Sequence, residues 1–212
     1  MASRPPRRAD AQRNYERLLV AAETVLNTHG AGASLDDVAK AAGVGNATLY
    51  RHFATRERLI EAVYDQRIRM LCDAAGKQAA SQEPGEALVG WLREVVVHVT
   101  ESRVLGEAFM AAYEGPAGVE PPQIAAWHRA VHEAAAPLLA AAQDTGAIRP
   151  DLGVVEMVAL TTAVARAGNP AQAGAFLDLL LEGIIPRRAG TPATTSGDAP
   201  HRNGGHDPPL EL

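Results

Sequence analysis

From Asp10 to His29, apolar side chains recur at steps of three and four: Tyr15, Leu18, Leu19, Ala22, Val25 and Leu26, with Arg13, Glu16, Arg17 and Glu23 between them. That period predicts a helix with one buried face. Gly30 and Gly32 stop it, and Ser34 opens a second helix with Asp36 and Asp37 in its first turn. A hydroxyl there accepts from an orphan amide, and carboxylates suit the positive end of the helix dipole. Leu35, Val38, Ala39 and Ala42 form the apolar face. Gly43 is suited to the left-handed turn that closes a helix, so a third, short helix is predicted from Gly45 or Asn46 to about Phe53. Thr55 caps a fourth, in which Leu59, Ala62, Val63, Met70 and Leu71 trace a long amphipathic connector between two halves of the chain.

Beyond Pro84 the pattern predicts five more helices, at about 85–99, 101–113, 121–143, 151–167 and 171–185. Gly115-Pro116, Gly146, Pro150 and Gly168-Asn169-Pro170 separate them. After Pro186 apolar residues almost cease, and 187–212 read as a disordered tail. No repeat is present. With 47% hydrophobic residues but only 2 Trp, 4 Tyr and 3 Phe, and much alanine, the composition favours helix over sheet. The expected fold is all-α, about nine helices in two regions: 10–58 after a basic arm at 1–9 that reads as disordered, then 59–186.

Some classes drop out early. No run of roughly 18 apolar residues offers itself to a membrane. The opening arginines Arg4, Arg7 and Arg8 lead into Asp10, Arg13 and Glu16 rather than into the apolar core of a secretion signal. The single Cys72 excludes an internal disulfide and a cysteine metal cluster. A cytoplasmic protein without cofactor is expected.

The net charge of −5 conceals a division. Residues 1–58 carry nine Lys and Arg against six Asp and Glu, and the remaining 154 carry eleven against nineteen. A basic first part on an acidic body suits a polyanion meeting the first part only.

Leu35–Ala42 and Asn46 to Phe53, joined by a tight glycine turn, have the dimensions of a helix-turn-helix. Val38, Ala39, Val44, Leu49 and Phe53 are placed to pack inward. Asn46, Thr48, Tyr50, Arg51 and His52 remain outside. That face suits a major groove: Asn46 is able to pair with adenine and Thr48 to offer a hydroxyl or a methyl, while Tyr50, Arg51, His52 and Arg56 lie nearer the phosphates. Composition and spacing alone fit a solvated face in an ordinary bundle better than a groove-reading one.

The unbroken run from Ser34 to Glu57, with its Gly-Val turn, Thr48-Leu49-Tyr50, His52-Phe53 and Thr55-Arg56-Glu57, resembles the DNA-binding signature of TetR-type transcriptional regulators, and the likeness covers about 10–70. The resemblance implies a three-helix DNA-binding bundle and a larger C-terminal domain that binds a small ligand and dimerises. By it, Asn46, Ala47, Thr48, Tyr50, Arg51, His52 and Arg56 take the DNA contacts. Where relatives often carry Ser-Lys-Gly this chain has Gly45-Asn46-Ala47, which removes a lysine contact to phosphate, and Asp36 stands where some relatives place a basic residue. Arg4, Arg7 and Arg8 could reach a minor groove or phosphates, as basic arms do, or simply solubilise the terminus.

The resemblance places a ligand chamber among the middle helices, which carry Trp91, His98, Phe109, Tyr113, Trp127 and His128. Such groups suit a hydrophobic effector, although Trp91 and Phe109 also suit plain core. His128 and His132 share a helical face, but no carboxylate or cysteine completes a metal site. Cys72 has no basic neighbour in sequence to activate it. Val154, Val155, Val158, Thr161, Thr162 and Val164, then Ala175, Phe176, Leu179, Leu180 and Ile184, make broad apolar faces at about 151–185, which suit a four-helix homodimer interface. The leading expectation is a repressor released from operator DNA by a small hydrophobic ligand. Two others stand beside it: a small helical enzyme acting on a hydrophobic substrate, for which no nucleophile or phosphate-loop motif is present, and a non-specific architectural DNA-binding protein.

Overall fold

The computed structural model describes residues 7–111 and 120–185. Arg4, Tyr113 and the tail at 187–212 therefore lie outside the described residues. Among those described there are nine α-helices, one 3-10 turn and no strand: α1 (Arg7–His29), the turn Gly30–Gly32, α2 (Leu35–Ala42), α3 (Asn46–His52), α4 (Arg56–Ser81), α5 (Pro84–Glu101), α6 (Arg103–Ala111), α7 (Pro122–Asp144), α8 (Val154–Arg166) and α9 (Pro170–Ile184).

The all-α expectation holds, with the differences at helix ends. Residues 7–9, expected in the arm, already belong to α1. A first turn needs no buried side chain, so hydrophobic period does not mark it. α8 starts at Val154 rather than 151, with Gly153 as its cap. Pro137 lies inside α7, on an exposed side of the helix.

Two cores share the fold. The first gathers Leu18, Ala22 and Leu26 of α1, Val38 and Ala39 of α2, Leu49 of α3 and Phe53. It also takes Leu59, Ile60 and Val63 from α4 and Leu105 from α6, so packing does not divide at residue 58. The second is built on α5, whose Leu88, Trp91 and Leu92 are fully buried among residues of α4, α7, α8 and α9. α4 enters both cores, through Leu59 to Val63 and then Ile68 to Ala75, and is the rigid link between them.

That arrangement alters the expected dimer face. Val158, Thr161 and Ile184, expected at an interface, are buried within the subunit, because α8 and α9 close over α5. What stays outside is narrower: Val155, Ala159, Leu160 and Ala163 on α8, Ala175 and Leu179 on α9.

Candidate nucleic-acid interface

Three elements fix the attitude of α3. At the start of α2, the Ser34 hydroxyl accepts from the Asp37 amide at 3.1 Å, and the Asp37 carboxylate accepts from the Ser34 amide and hydroxyl at 3.4 and 2.6 Å. The hydroxyl contact above all holds the Asp37 carboxyl below the usual carboxylate range. At the end of α2, Gly43 takes φ 64°, and the Val44 amide returns to the Ala39 carbonyl at 3.0 Å. Arg17 of α1 then closes the turn from outside, donating to the Ala42 carbonyl and, at 3.2 Å, to that of Gly43. The C-terminal carbonyls of α2 are thus satisfied by a cation, as the helix dipole favours.

Within α3, Leu49 is fully buried, which contributes roughly 2 kcal/mol. Phe53, just past its end, stacks on Tyr15 of α1 at 5.3 Å between ring centroids, with planes 30° apart. Two inward side chains on so short a helix leave its opposite face outward.

Of the seven residues expected at DNA, Asn46, Ala47, Tyr50 and Arg51 share that exposed face. Thr48 is half-buried at its edge and accepts from the Arg51 guanidinium at 3.4 Å. His52 is half-buried against Tyr15, 5.9 Å between centroids. Arg56 is directed elsewhere: its Nε and Nη2 donate to the carbonyls of Ala33 and Gly30, at 3.2 and 3.3 Å, tying α4 to the loop before α2. Asp36, which stands where some relatives place a basic residue, lies beside the recognition face and accepts from Asn46 Nδ2 at 2.8 Å. Nothing in spacing marked that pair, which joins positions ten apart on two helices.

The expected ligand residues separate likewise. Trp91 is structural: it is fully buried and its Nε1 donates to the Leu71 carbonyl at 2.9 Å. His128 is on the outer surface, 2.9 Å from Glu120, because the turn of α7 that buries Trp127 carries the next residue away from the core. His98, Phe109 and Trp127 do meet, around Tyr64, which sequence reasoning missed. Tyr64 stacks on Trp127 at 4.5 Å, His98 meets Tyr64 edge-on at 5.6 Å, and Phe109 lies 5.1 Å from Trp127. Trp127 Nε1 donates to Asp65 at 3.1 Å. Burial, with Arg67 nearby, pushes His98 down to about 4, and burial raises Tyr64. The cluster lies where the two cores touch, since Tyr64 and Phe109 pack against both.

Comparison with known proteins follows the same division of the chain. Residues 18–63 match the bacterial regulatory proteins of the tetR family, and residues 83–186 match the C-terminal domain of SbtR-like transcriptional regulators. The HTH-type transcriptional regulator UidR of Escherichia coli (strain K12) is 29% identical over 150 residues, 68% of this chain and 73% of the relative. A TetR transcriptional regulator of Streptomyces coelicolor superposes with a TM-score of 0.68 at 33% identity, over 82% of this chain and 99% of the other. A TetR transcription regulatory protein of Mycobacterium vanbaalenii gives 0.66 at 32%, over 85% and 100%. With this identity along most of both chains, and with the outward helix α3 inside the matched regulatory domain, the protein belongs to the TetR family of DNA-binding transcriptional regulators.

Proposed function

We propose that the protein is a homodimeric repressor that grips operator DNA through α3 and lets go when a small hydrophobic ligand enters the C-terminal domain. The observation that carries this reading is the exposure of Asn46, Ala47, Tyr50 and Arg51 together on a helix held rigidly by Leu49 and Phe53. A base-edge reader in Asn46, a methyl contact in Ala47 and a phosphate cation in Arg51 are present on one face narrow enough for a major groove.

The dimer reading is supported by the strip on α8 and α9, where Val155 and Leu179 are 55% and 65% exposed in the subunit. Paired copies would present two α3 helices to successive grooves about 34 Å apart. The effector is read as hydrophobic, with aromatic character, because Tyr64, Phe109 and Trp127 offer ring faces beside a neutral imidazole. Release requires only that the ligand favour the spacing that does not fit DNA, by its differential affinity for the two states. The site of action is read as the cytoplasm, where a regulator of this family would meet operator DNA; among the described residues no helix is long and apolar enough to cross a membrane.

Enrichment of a random duplex pool by the purified protein at fixed salt tests the reading. The expected product is an inverted repeat whose half-sites lie about 10 base pairs apart or a multiple of that. Equal retention of all duplexes would instead favour an architectural DNA-binding protein, and turnover of a hydrophobic compound by a chain altered in α3 would favour an enzyme.

A further inference from the structure

At the first turn of α3, Asn46 has a fixed neighbour. Its Nδ2 donates to Asp36 Oδ1 at 2.8 Å, from one helix of the motif to the other, with both side chains exposed beside the groove-facing surface. An ionised carboxylate carries acceptors only, whereas a side-chain amide has an acceptor at one end and two donors at the other. Only one of the two amide orientations is therefore compatible with this contact. Rotating Asn46 by half a turn would set its carbonyl oxygen against a carboxylate oxygen and replace a charge-assisted hydrogen bond with a repulsion.

Resting on the operator-binding reading above, we infer that Asp36 is a specificity-determining residue: by fixing the Asn46 amide it restricts the base read there to one that presents an amino group in the major groove. With one Nδ2 hydrogen held by Asp36, Asn46 offers its Oδ1 as an acceptor and its second Nδ2 hydrogen as a donor. Adenine presents N6 as donor and N7 as acceptor and satisfies both. Cytosine presents its N4 amino group and satisfies the acceptor. Guanine presents two acceptors, N7 and O6, and thymine one acceptor and a methyl. An unrestrained asparagine could rotate to donate both hydrogens to guanine, and the restraint removes that option. The negative charge of Asp36 acts in the same direction, because it attracts an amino group and repels the two acceptors, N7 and O6, of the guanine edge.

Asp36 does this without touching the base, so it is a positioning residue whose action is read through Asn46. Asp36→Asn provides the test. The variant is nearly isosteric and keeps a hydrogen bond to Asn46, but an amide accepts or donates and imposes no orientation. Wild type, Asp36→Asn and Asn46→Ala are each used to enrich the same random duplex pool, and thermal unfolding is followed alongside.

The wild-type pool should contain, in each half-site, one position that disfavours guanine by roughly tenfold or more, and Asn46→Ala should erase the preference there. Asp36→Asn should admit guanine at that same position, to within about threefold of adenine, with every other position and the unfolding curve unchanged. A merely structural role for Asp36 would weaken all sequences alike. An enriched wild-type pool whose preference survives intact in Asp36→Asn, or in which guanine is the base lost with Asn46→Ala, overturns the inference while leaving the operator reading in place. A wild-type pool that enriches nothing overturns both.

Discussion

Arg67 of α4 and Glu23 of α1 form a clamp between the DNA-binding helices and the rest of the molecule: Arg67 Nε and Nη2 both donate to one Glu23 oxygen, at 3.0 and 2.5 Å. A third guanidinium nitrogen donates to the Ser102 hydroxyl at 2.7 Å, where α5 gives way to α6. Arg67 is only 9% exposed, so its charge depends on these partners and on the Glu101 carboxylate 3.9 Å away. Glu23, at 39%, keeps part of its hydration. Glu23→Gln should therefore cost about 1–2 kcal/mol, as a charge-assisted bond becomes a neutral one beside a buried cation. Arg67→Ala should cost more, about 2–4 kcal/mol, since it also empties packed volume. Urea unfolding of the three proteins checks both numbers, and equal midpoints would deny the clamp any energetic weight.

The turn between α2 and α3 is exposed to a sharper test. Gly43 combines φ 64° with a second restriction, because a Cβ built there would lie 2.9 Å from Arg17 Nη2. Gly146 has a similar φ of 70° with nothing within 4 Å. Gly146→Ala thus measures backbone strain alone, on the order of 1 kcal/mol. Gly43→Ala should cost that and a further 1 kcal/mol or so, because Arg17 must give up the Ala42 and Gly43 carbonyls. Thermal unfolding midpoints should fall in that order, and operator affinity should fall for Gly43→Ala alone.

Much of this was legible from the chain. The inward period of Leu18, Leu19, Ala22, Val25 and Leu26, the Ser34 cap and the Gly43 turn are local signals, and each has a local cause: a helical repeat, an orphan amide, a positive φ. The outward face of α3 followed by subtraction once Leu49 and Phe53 were assigned inward. What escaped is contact across helices. Arg56 shares its residue type with a phosphate ligand, and only the fold places the Ala33 and Gly30 carbonyls within its reach. Tyr64 lies on a connector helix whose period says only that it is half inward, while its partners come from α5, α6 and α7. The burial of Val158 and Thr161 was missed because the sequence does not reveal how much of α8 one central helix, α5, covers.

Arg51 and Arg56 give a contrast that a DNA measurement can resolve. Arg51 is exposed on α3, so Arg51→Ala should weaken all duplexes alike and reduce the slope of log affinity against log salt by about one. Arg56→Ala removes donors from two loop carbonyls, and should lower unfolding stability by about 1–2 kcal/mol while moving the salt slope less than Arg51→Ala does. A salt slope that falls equally in both would return Arg56 to the phosphate contacts.

His98 makes stability depend on pH in a definite direction. Its folded value is depressed from 6.5 to about 4, by burial first and by Arg67 second. The unfolded chain therefore takes up the proton first. Above pH 6.5 the imidazole is neutral in both states and nothing is lost; between 6.5 and 4 folding stability declines, and below 4 the loss is complete, at most about 3 kcal/mol. Replacing His98 with Phe should remove this part of the decline. Unfolding free energies from urea curves at pH 7.5 and pH 5 should then differ by up to about 2 kcal/mol more in the wild type than in the variant. Parallel loss in both proteins would place the titration elsewhere.

The last prediction concerns the strip on α8 and α9. A carboxylate on a free surface costs little, but buried between two copies and facing itself across a twofold axis it must be desolvated next to a like charge. Leu179 is the most exposed large apolar side chain of the described residues, at 65%, and its loss removes little from the subunit's own core. Leu179→Glu should therefore leave helical content and subunit folding intact while shifting sedimentation from dimer to monomer. Operator affinity should collapse toward that of a single half-site, because two α3 helices then bind independently instead of as one rigid pair. Asp178 stands beside it and pairs with Arg93 of the same subunit at 2.9 Å, so Asp178→Ala, a change of charge on the neighbouring residue, should leave the dimer in place. A Leu179→Glu protein that still sediments as a dimer would move the interface away from α9, and one that is monomeric yet binds the full operator with wild-type affinity would remove the pairing of α3 helices from the mechanism.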